Sequence, residues 1–173
     1  MVQQTPALIA ELFEAHMQAE LEGDRDRTME TMTSTPHLNH VPVRAGGHGD
    51  AAVREFYGDH LVGKFFPEDV EFVNVSRTVD EHQLVDELLV SFTHTQVIDW
   101  MLPGVAPTGR AVRIPMVVIV RCESGKVSHE HIYWDQASVL VQIGLLSAEG
   151  LPVTGVEQSQ TLADPMSGFR TEY

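Results

Sequence analysis

Near Val70 the spacing of apolar residues changes from 3.6 to 2, so the first part of the chain must fold as helices and the second as strands. In Ala7–Glu22 the residues Leu8, Leu12, Ala15 and Ala19 recur at helical spacing, and Ile9, Phe13 and His16 widen the stripe. Thr5-Pro6 suits the start, because a proline there gives up a donor that has no partner anyway, and Gly23 supplies the stop. Asp24 can cap a second helix through about Met32. Pro36–Ala45 reads as irregular and Gly46-Gly47-His48-Gly49 as a loop. Asp50 can then cap a third helix, Ala51–Val62, ended by Gly63.

Beyond the switch, Glu71–Val79 is a strand and Asp80-Glu81 a tight turn. Leu84–Trp100 alternates as one long strand, with Leu84, Asp86, Leu88, Val90, Phe92 and His94 on one face. Met101–Gly109 carries two prolines and two glycines and makes a loop. Ala111–Cys122 is a buried strand in which Pro115 implies a bulge or an edge. After the turn Glu123–Lys126, Val127–Val141 is the last strand. Helices followed by an antiparallel meander define an α+β class. To cover its apolar face with the helices the sheet must curve, and the resulting cone encloses a pocket.

Composition narrows the partners. Against 11 Lys and Arg stand 25 Asp and Glu, a net charge of −14, which excludes nucleic acid and anionic membrane as the main partner. Nine histidines make that charge fall steeply below about pH 6.5. Cys122 is the single cysteine, so no intrachain disulfide or multi-cysteine zinc site forms, and its apolar surroundings mark a packed thiol. The first thirty residues lack the pattern of a secretory leader, and no apolar run reaches the length of a membrane span, so a cytoplasmic chain is expected. Leu151–Gly155 matches LPxTG, but the polar sequence after it is no sorting signal; Asn74-Val75-Ser76 is a formal glycosylation acceptor without meaning in that compartment.

The densest polar cluster is Ser128–Gln136. Strand alternation puts His129, His131, Tyr133 and Asp135 on one face, and Ser128, Glu130, Ile132, Trp134 and Gln136 on the other. Two imidazoles, a phenol and a carboxylate on one buried face would each need a partner, whereas on a solvated face they would not. His129 and His131 could also ligate a metal, completed by His37, His40 or His94 with a carboxylate. His40 lies in a segment between helices that is either turn or functional loop. Trp100 reads as core or pocket wall, Arg113 as a strand-start cation or the partner of a buried carboxylate, and Tyr57 as packing.

Gly125-Lys126-Val127, then Glu130, Trp134-Asp135, Leu140 and Gln142-Ile143-Gly144, resemble the closing strand of the polyketide-cyclase-like (SnoaL-like) branch of the nuclear transport factor 2-like superfamily. The likeness spans about residues 5–146. It implies the cone-shaped α+β barrel of a curved antiparallel sheet on about three helices, and a homodimer packed through the sheet. Residues 1–146 would then be the domain and 147–173 an extension that wraps a partner subunit, covers the pocket or lies loose. In cyclases of this branch an aspartate on the last strand is the acid and base of an intramolecular aldol step, and the match puts that role on Asp135. Relatives often carry a second acid three positions earlier, where this chain has Ile132.

Proton abstraction next to a carbonyl needs a base within about 3 Å and a donor for the enolate oxygen. An apolar cone raises a carboxylate's pKa and so its strength as a base. The expected activity is thus a lyase or isomerase on a small hydrophobic carbonyl compound, needing no metal or organic cofactor. Asp135 is its acid/base, His131, Tyr133 and His94 polarise oxygen, and His40, His129, Trp100, Arg113 and Tyr57 contact substrate. The competing readings are a binding module without catalysis, a dehydratase or hydrolase, and a metal-dependent enzyme built on His129 and His131.

Overall fold

The structure, a computed structural model, describes residues 4–61 and 64–170. Helix α1 (Pro6–Leu21) starts as its sequence predicts, with Pro6 in the first turn and the Thr5 hydroxyl accepting the Leu8 N–H. Asp24 caps α2 (Arg25–Glu30) by accepting the Arg27 N–H. The third helix is shorter than predicted. Regular α3 covers Asp50–Phe56 and passes into a π-helical turn, Tyr57–Leu61. Its cap is Gly49, not Asp50. The expected end at Val62-Gly63 lies outside the described residues.

Six strands form one open sheet in the order β2-β1-β6-β5-β4-β3. They are β1 (Met32–His40), β2 (Ala45–His48), β3 (Glu71–Val79), β4 (Gln83–Thr93), β5 (Ala111–Glu123) and β6 (Lys126–Trp134). The α+β class stands, and four of these strands are the predicted meander. The expected barrel is not closed, and two strands come from sequence read as loop. β1 pairs parallel to β6, and β2 antiparallel to β1. Asn39 and the prolines at 36 and 42 suggest turns, but Pro36, Leu38 and His40 alternate inward and His37–His40 find a ladder on β6, so tertiary pairing overrides local preference. In β2 the glycines permit contact: at Gly46, φ 140°, a Cβ would lie 2.0 Å from the Leu38 carbonyl oxygen.

Two predicted strands are too long. β4 ends at Thr93, and Ile98–Leu102 turns inward, where Trp100 Nε1 donates to the Phe65 carbonyl at 2.7 Å. β6 ends at Trp134, because Asp135 opens helix α4 (Gln136–Gln142). Pro115 takes the edge position its sequence implies, although β5 is an interior strand. It is paired with Leu89 inside the sheet, one residue beyond the last β5–β6 pair, Met116–Trp134, so it has a strand neighbour on one side only. The turn between β5 and β6 holds Ser124 and Gly125 at φ 52° and 74°, the double positive φ of a tight hairpin.

The helices α1–α3 cover one face of the sheet and enclose the apolar core with it. The chain after α4 returns to the outer side as α5 (Glu157–Ala163), which packs on β5. Ser138 Oγ donates to the Gly155 carbonyl, which fastens that return. No described residue of the 147–170 segment lines the cavity under α1. Among the described residues no helix is long and apolar enough to cross a membrane.

Candidate functional site

Between α1 and the inner face of the sheet lies a cavity of about 290 Å³, at the small end of ligand pockets. Phe13, Met17, Leu38, Leu88, Met116 and Val118 give it an apolar wall, and Trp100 with Phe65 and Phe66 adds an aromatic one. Exposed Leu21, Phe72 and Asn74 on its rim place the mouth between the end of α1 and β3. Besides Trp100, whose Nε1 is spent on the Phe65 carbonyl, six lining residues can carry charge or hydrogen bonds: Glu20, His40, Asn74, Arg77, Asp86 and Glu130.

Glu130 and Glu20 form the first polar pole around His16. Both carboxylates stand 3.2 Å from His16 Nε2. On the other side of the ring, His16 Nδ1 is 2.6 Å from Thr31 Oγ1, whose own hydrogen goes to the Thr28 carbonyl. Thr31 can therefore only accept, and with two carboxylates at Nε2 both ring nitrogens must donate. Burial alone would discharge this imidazole, but Glu130 and Glu20 raise its pKa to about 10, so it is an imidazolium. Burial would lift Glu130 too, yet His16 against it, helped by the Tyr57 hydroxyl donating at 3.1 Å, holds it below its ordinary value. Glu20 goes the other way. Burial, with the Glu130 charge beside it, lifts its carboxyl above the ordinary range despite His16. One pole thus contains an ionised carboxylate and an easily protonated one. Tyr57, between them, is pushed well above 10 by burial and by both acids, and stays a phenol.

The second pole is on β3 and β4. Arg77 grips Asp86 in a two-pronged bond, Nε to Oδ1 at 2.7 Å and Nη2 to Oδ2 at 2.8 Å, and Asn74 Nδ2 reaches Asp86 Oδ1 at 3.4 Å. Asn74 and Arg77 are three apart and would face opposite ways in a regular strand. Their pairing partners, Leu88 and Asp86, are two apart, because the register shifts at Val75, and this bulge turns both side chains into the cavity.

His40 sits beside the first pole. Burial drops its pKa to about 4, so it is neutral. Its Nδ1 is 3.3 Å from the Ala45 carbonyl and must be the protonated nitrogen, which leaves Nε2 a lone-pair acceptor. The ring packs 4.7 Å from that of Trp100.

Of the residues nominated from sequence, His40 and Trp100 line the cavity and Tyr57 touches Glu130. The rest lie elsewhere. The pairs Val118–Ile132 and Val120–Glu130 put Glu130 and Ile132 on the core side of β6, so His129, His131 and Tyr133 face outward, with Tyr133 41% exposed. Asp135 is not on the strand: its Oδ1 accepts the Ala137 and Ser138 N–H groups at the start of α4, and its Oδ2 accepts from Gln158. His94 is buried outside the cavity, where its Nδ1 holds Thr108 in the following loop. Arg113 is on the outer side, exchanging backbone bonds with the Gln142 amide. Sequence reasoning placed Glu130 on the opposite face to the cluster it favoured and missed Glu20, Asp86 and Arg77. The available signal was Asp86 and Glu130 themselves, single acids within otherwise apolar alternating faces. His16, Glu20 and Glu130 are also the one group, among the described residues, whose ligand atoms already lie within 4.8 Å of one another as a metal would need. A doubly protonated His16 has no lone pair to give.

No curated protein matches the sequence. Solved structures resemble the fold. A protein assigned to the SnoaL-like polyketide cyclases, from Jannaschia sp. CCS1, is 20% identical with a TM-score of 0.64, over 85% of this chain and 97% of that one. AclR of Streptomyces galilaeus, assigned as a hydroxylase, is 21% identical with a TM-score of 0.61, over 83% and 89%. A protein assigned as a ketosteroid isomerase, from Kribbella flavida, is 11% identical with a TM-score of 0.52, over 76% and 81%. The SnoaL-like domain matches residues 13–130, a span that begins inside α1 and ends at the buried Glu130. The chain belongs to the SnoaL-like domain family.

Proposed function

We propose that this protein is an enzyme that moves a proton next to the carbonyl of a small hydrophobic compound, in an isomerisation or an aldol-type ring closure. The observation that carries this reading is the split pair at the cavity wall: Glu20 raised and Glu130 lowered around one imidazolium. A carboxylate of raised pKa is the stronger base, and its acid form returns the proton near neutral pH. Glu20 is therefore assigned the proton transfer, and Glu130 with His16 the tuning of Glu20. Neutral His40 offers an acceptor to a substrate hydroxyl. Arg77 and Asn74 offer donors to a substrate oxygen at the other pole, where negative charge would develop. The apolar wall excludes water and selects a substrate with little polar surface.

A second reading is a carrier that binds such a molecule without turning it over. It is favoured by the internal satisfaction of the poles, Asp86 by Arg77 and Glu130 by His16 and Tyr57. The two separate in one experiment. Apolar ketones and enones are incubated with the protein in D2O, and exchange of the protons next to the carbonyl is followed by NMR. Accelerated exchange that drops at least about 100-fold in Glu20→Gln supports the enzyme. Thermal stabilisation by the same compounds without exchange supports the carrier.

A further inference from the structure

The outer face of the sheet carries a second cluster that the proposed proton chemistry does not use. Three adjacent strands contribute to it: His48 on β2, His37 on β1, and His129 and His131 on β6. The registers bring them together, since His37 is paired with both His48 and His129. Ring centroids are 4.4 Å apart for His129–His131, 5.0 Å for His37–His131, 6.3 Å for His37–His129 and 5.9 Å for His37–His48. The Nε2 of His131 is buried with no hydrogen-bonding partner among the described residues. A buried nitrogen in that condition calls for an ion or water at the site.

We infer that His37, His129 and His131 form a binding site for a divalent transition metal, with His48 beside the fourth position. The spacing fits. At Zn–N distances of about 2.0–2.1 Å and tetrahedral angles, the centroids of coordinated imidazoles lie ~5 Å apart, and the three observed separations straddle that value. Two histidines at i and i+2 on one strand, with a third on the neighbouring strand, project from the same face of the sheet. In the present rotamers the nitrogens are not gathered, so binding as inferred requires the imidazole rings to turn towards one another. Metal binding takes the neutral imidazole, whose lone pair is the ligand. The charged groups closest to His129 are Arg121 and Glu123, which stand 3.6 Å apart as a pair and leave little net charge there. An all-imidazole set suits Zn²⁺, Ni²⁺ or Cu²⁺ rather than Mg²⁺ or Ca²⁺. The site is independent of the carbonyl chemistry, because Glu130 and the cavity lie on the other face of β6.

The test uses the full chain without an affinity tag, stripped with a chelator and titrated at neutral pH. Zn²⁺ binding is followed by calorimetry and Co²⁺ binding by visible absorption. One ion per chain is expected, with the strong visible bands of tetrahedral Co²⁺. His129→Ala, His131→Ala and His37→Ala should each weaken binding at least about 10-fold, with circular dichroism showing that each variant stays folded. Glu20→Gln should leave the affinity unchanged. The inference is overturned by an absence of saturable binding, by binding that survives the His129→Ala/His131→Ala double variant, or by binding that Glu20→Gln removes.

Discussion

Glu20 and Glu130 meet at a single atom: each carboxylate stands 3.2 Å from the Nε2 of His16, one from the same helix and the other from the closing strand. Two acids and one imidazolium in a buried space cannot all be neutralised by pairing. The uncompensated part of the negative charge falls on Glu20, whose carboxyl is lifted above its ordinary value by burial first, with Glu130 beside it.

This assignment separates two carboxylates that a sequence comparison would treat alike. Glu20→Gln should cost at least about 100-fold in proton exchange while the protein remains folded. Asp135→Ala should leave exchange intact and lower stability by about 1 kcal/mol, because it removes the cap of α4. Exchange by NMR and denaturant unfolding of both variants check the pair.

Stability should fall on both sides of pH 6.5 for separate reasons. His16 goes from 6.5 unfolded to about 10 folded, so its contribution is complete below pH 6.5 and is lost as pH rises towards 10. His40 goes from 6.5 to about 4, so its contribution is present above pH 6.5 and is lost as pH falls towards 4. Unfolding midpoints across pH 4–10 should flatten on the alkaline side in His16→Gln and on the acid side in His40→Phe.

Arg77→Ala would leave Asp86, only 2% exposed, without its fork. The expected loss is about 3 kcal/mol, the low end for a broken buried pair because the guanidinium is itself 30% exposed. Arg77→Lys should recover only part of it, since an ammonium cannot span both oxygens. Urea unfolding of the three proteins gives the comparison.

Leu88→Trp should fill the cavity from the β4 wall and abolish stabilisation by any apolar ligand, at a cost of about 1–3 kcal/mol in the free protein. Ligand-dependent melting of wild type and variant measures both effects.

The helical start, the strands β3 to β5 and the turns around Asp80 and Gly125 were legible because their signals are local. β1 was not, because residues such as Pro36 and Asn39 resemble a turn until β6 lies beside them. Strand alternation divided β6 into its two faces correctly. It could not say which face was inside, and a row of histidines looked more like chemistry than a lone Glu130 among Ile132 and Trp134. Only the pairing with β5, whose core residues lie opposite Glu130 and Ile132, decides that. Asp135 was misplaced for a related reason: period 2 continues for a residue past Trp134, while the capping geometry that ends the strand depends on the helix after it. The Val75 bulge, which aims Asn74 and Arg77 together, leaves no mark in the periodicity.

His16 and Glu130 are 114 residues apart in the chain, and the strand that carries Glu130 is also the one on which β1 must pair. Contacts at such separation close late, after the entropy of the intervening loop has been overcome. The β3–β5 hairpins can form among themselves, but the carboxylate pair exists only once β6 slots between β1 and β5. A chain still emerging from the ribosome therefore has Glu20 and a binding wall before it has the Glu130 that tunes that acid, and the appearance of activity during refolding should coincide with the final step of assembly.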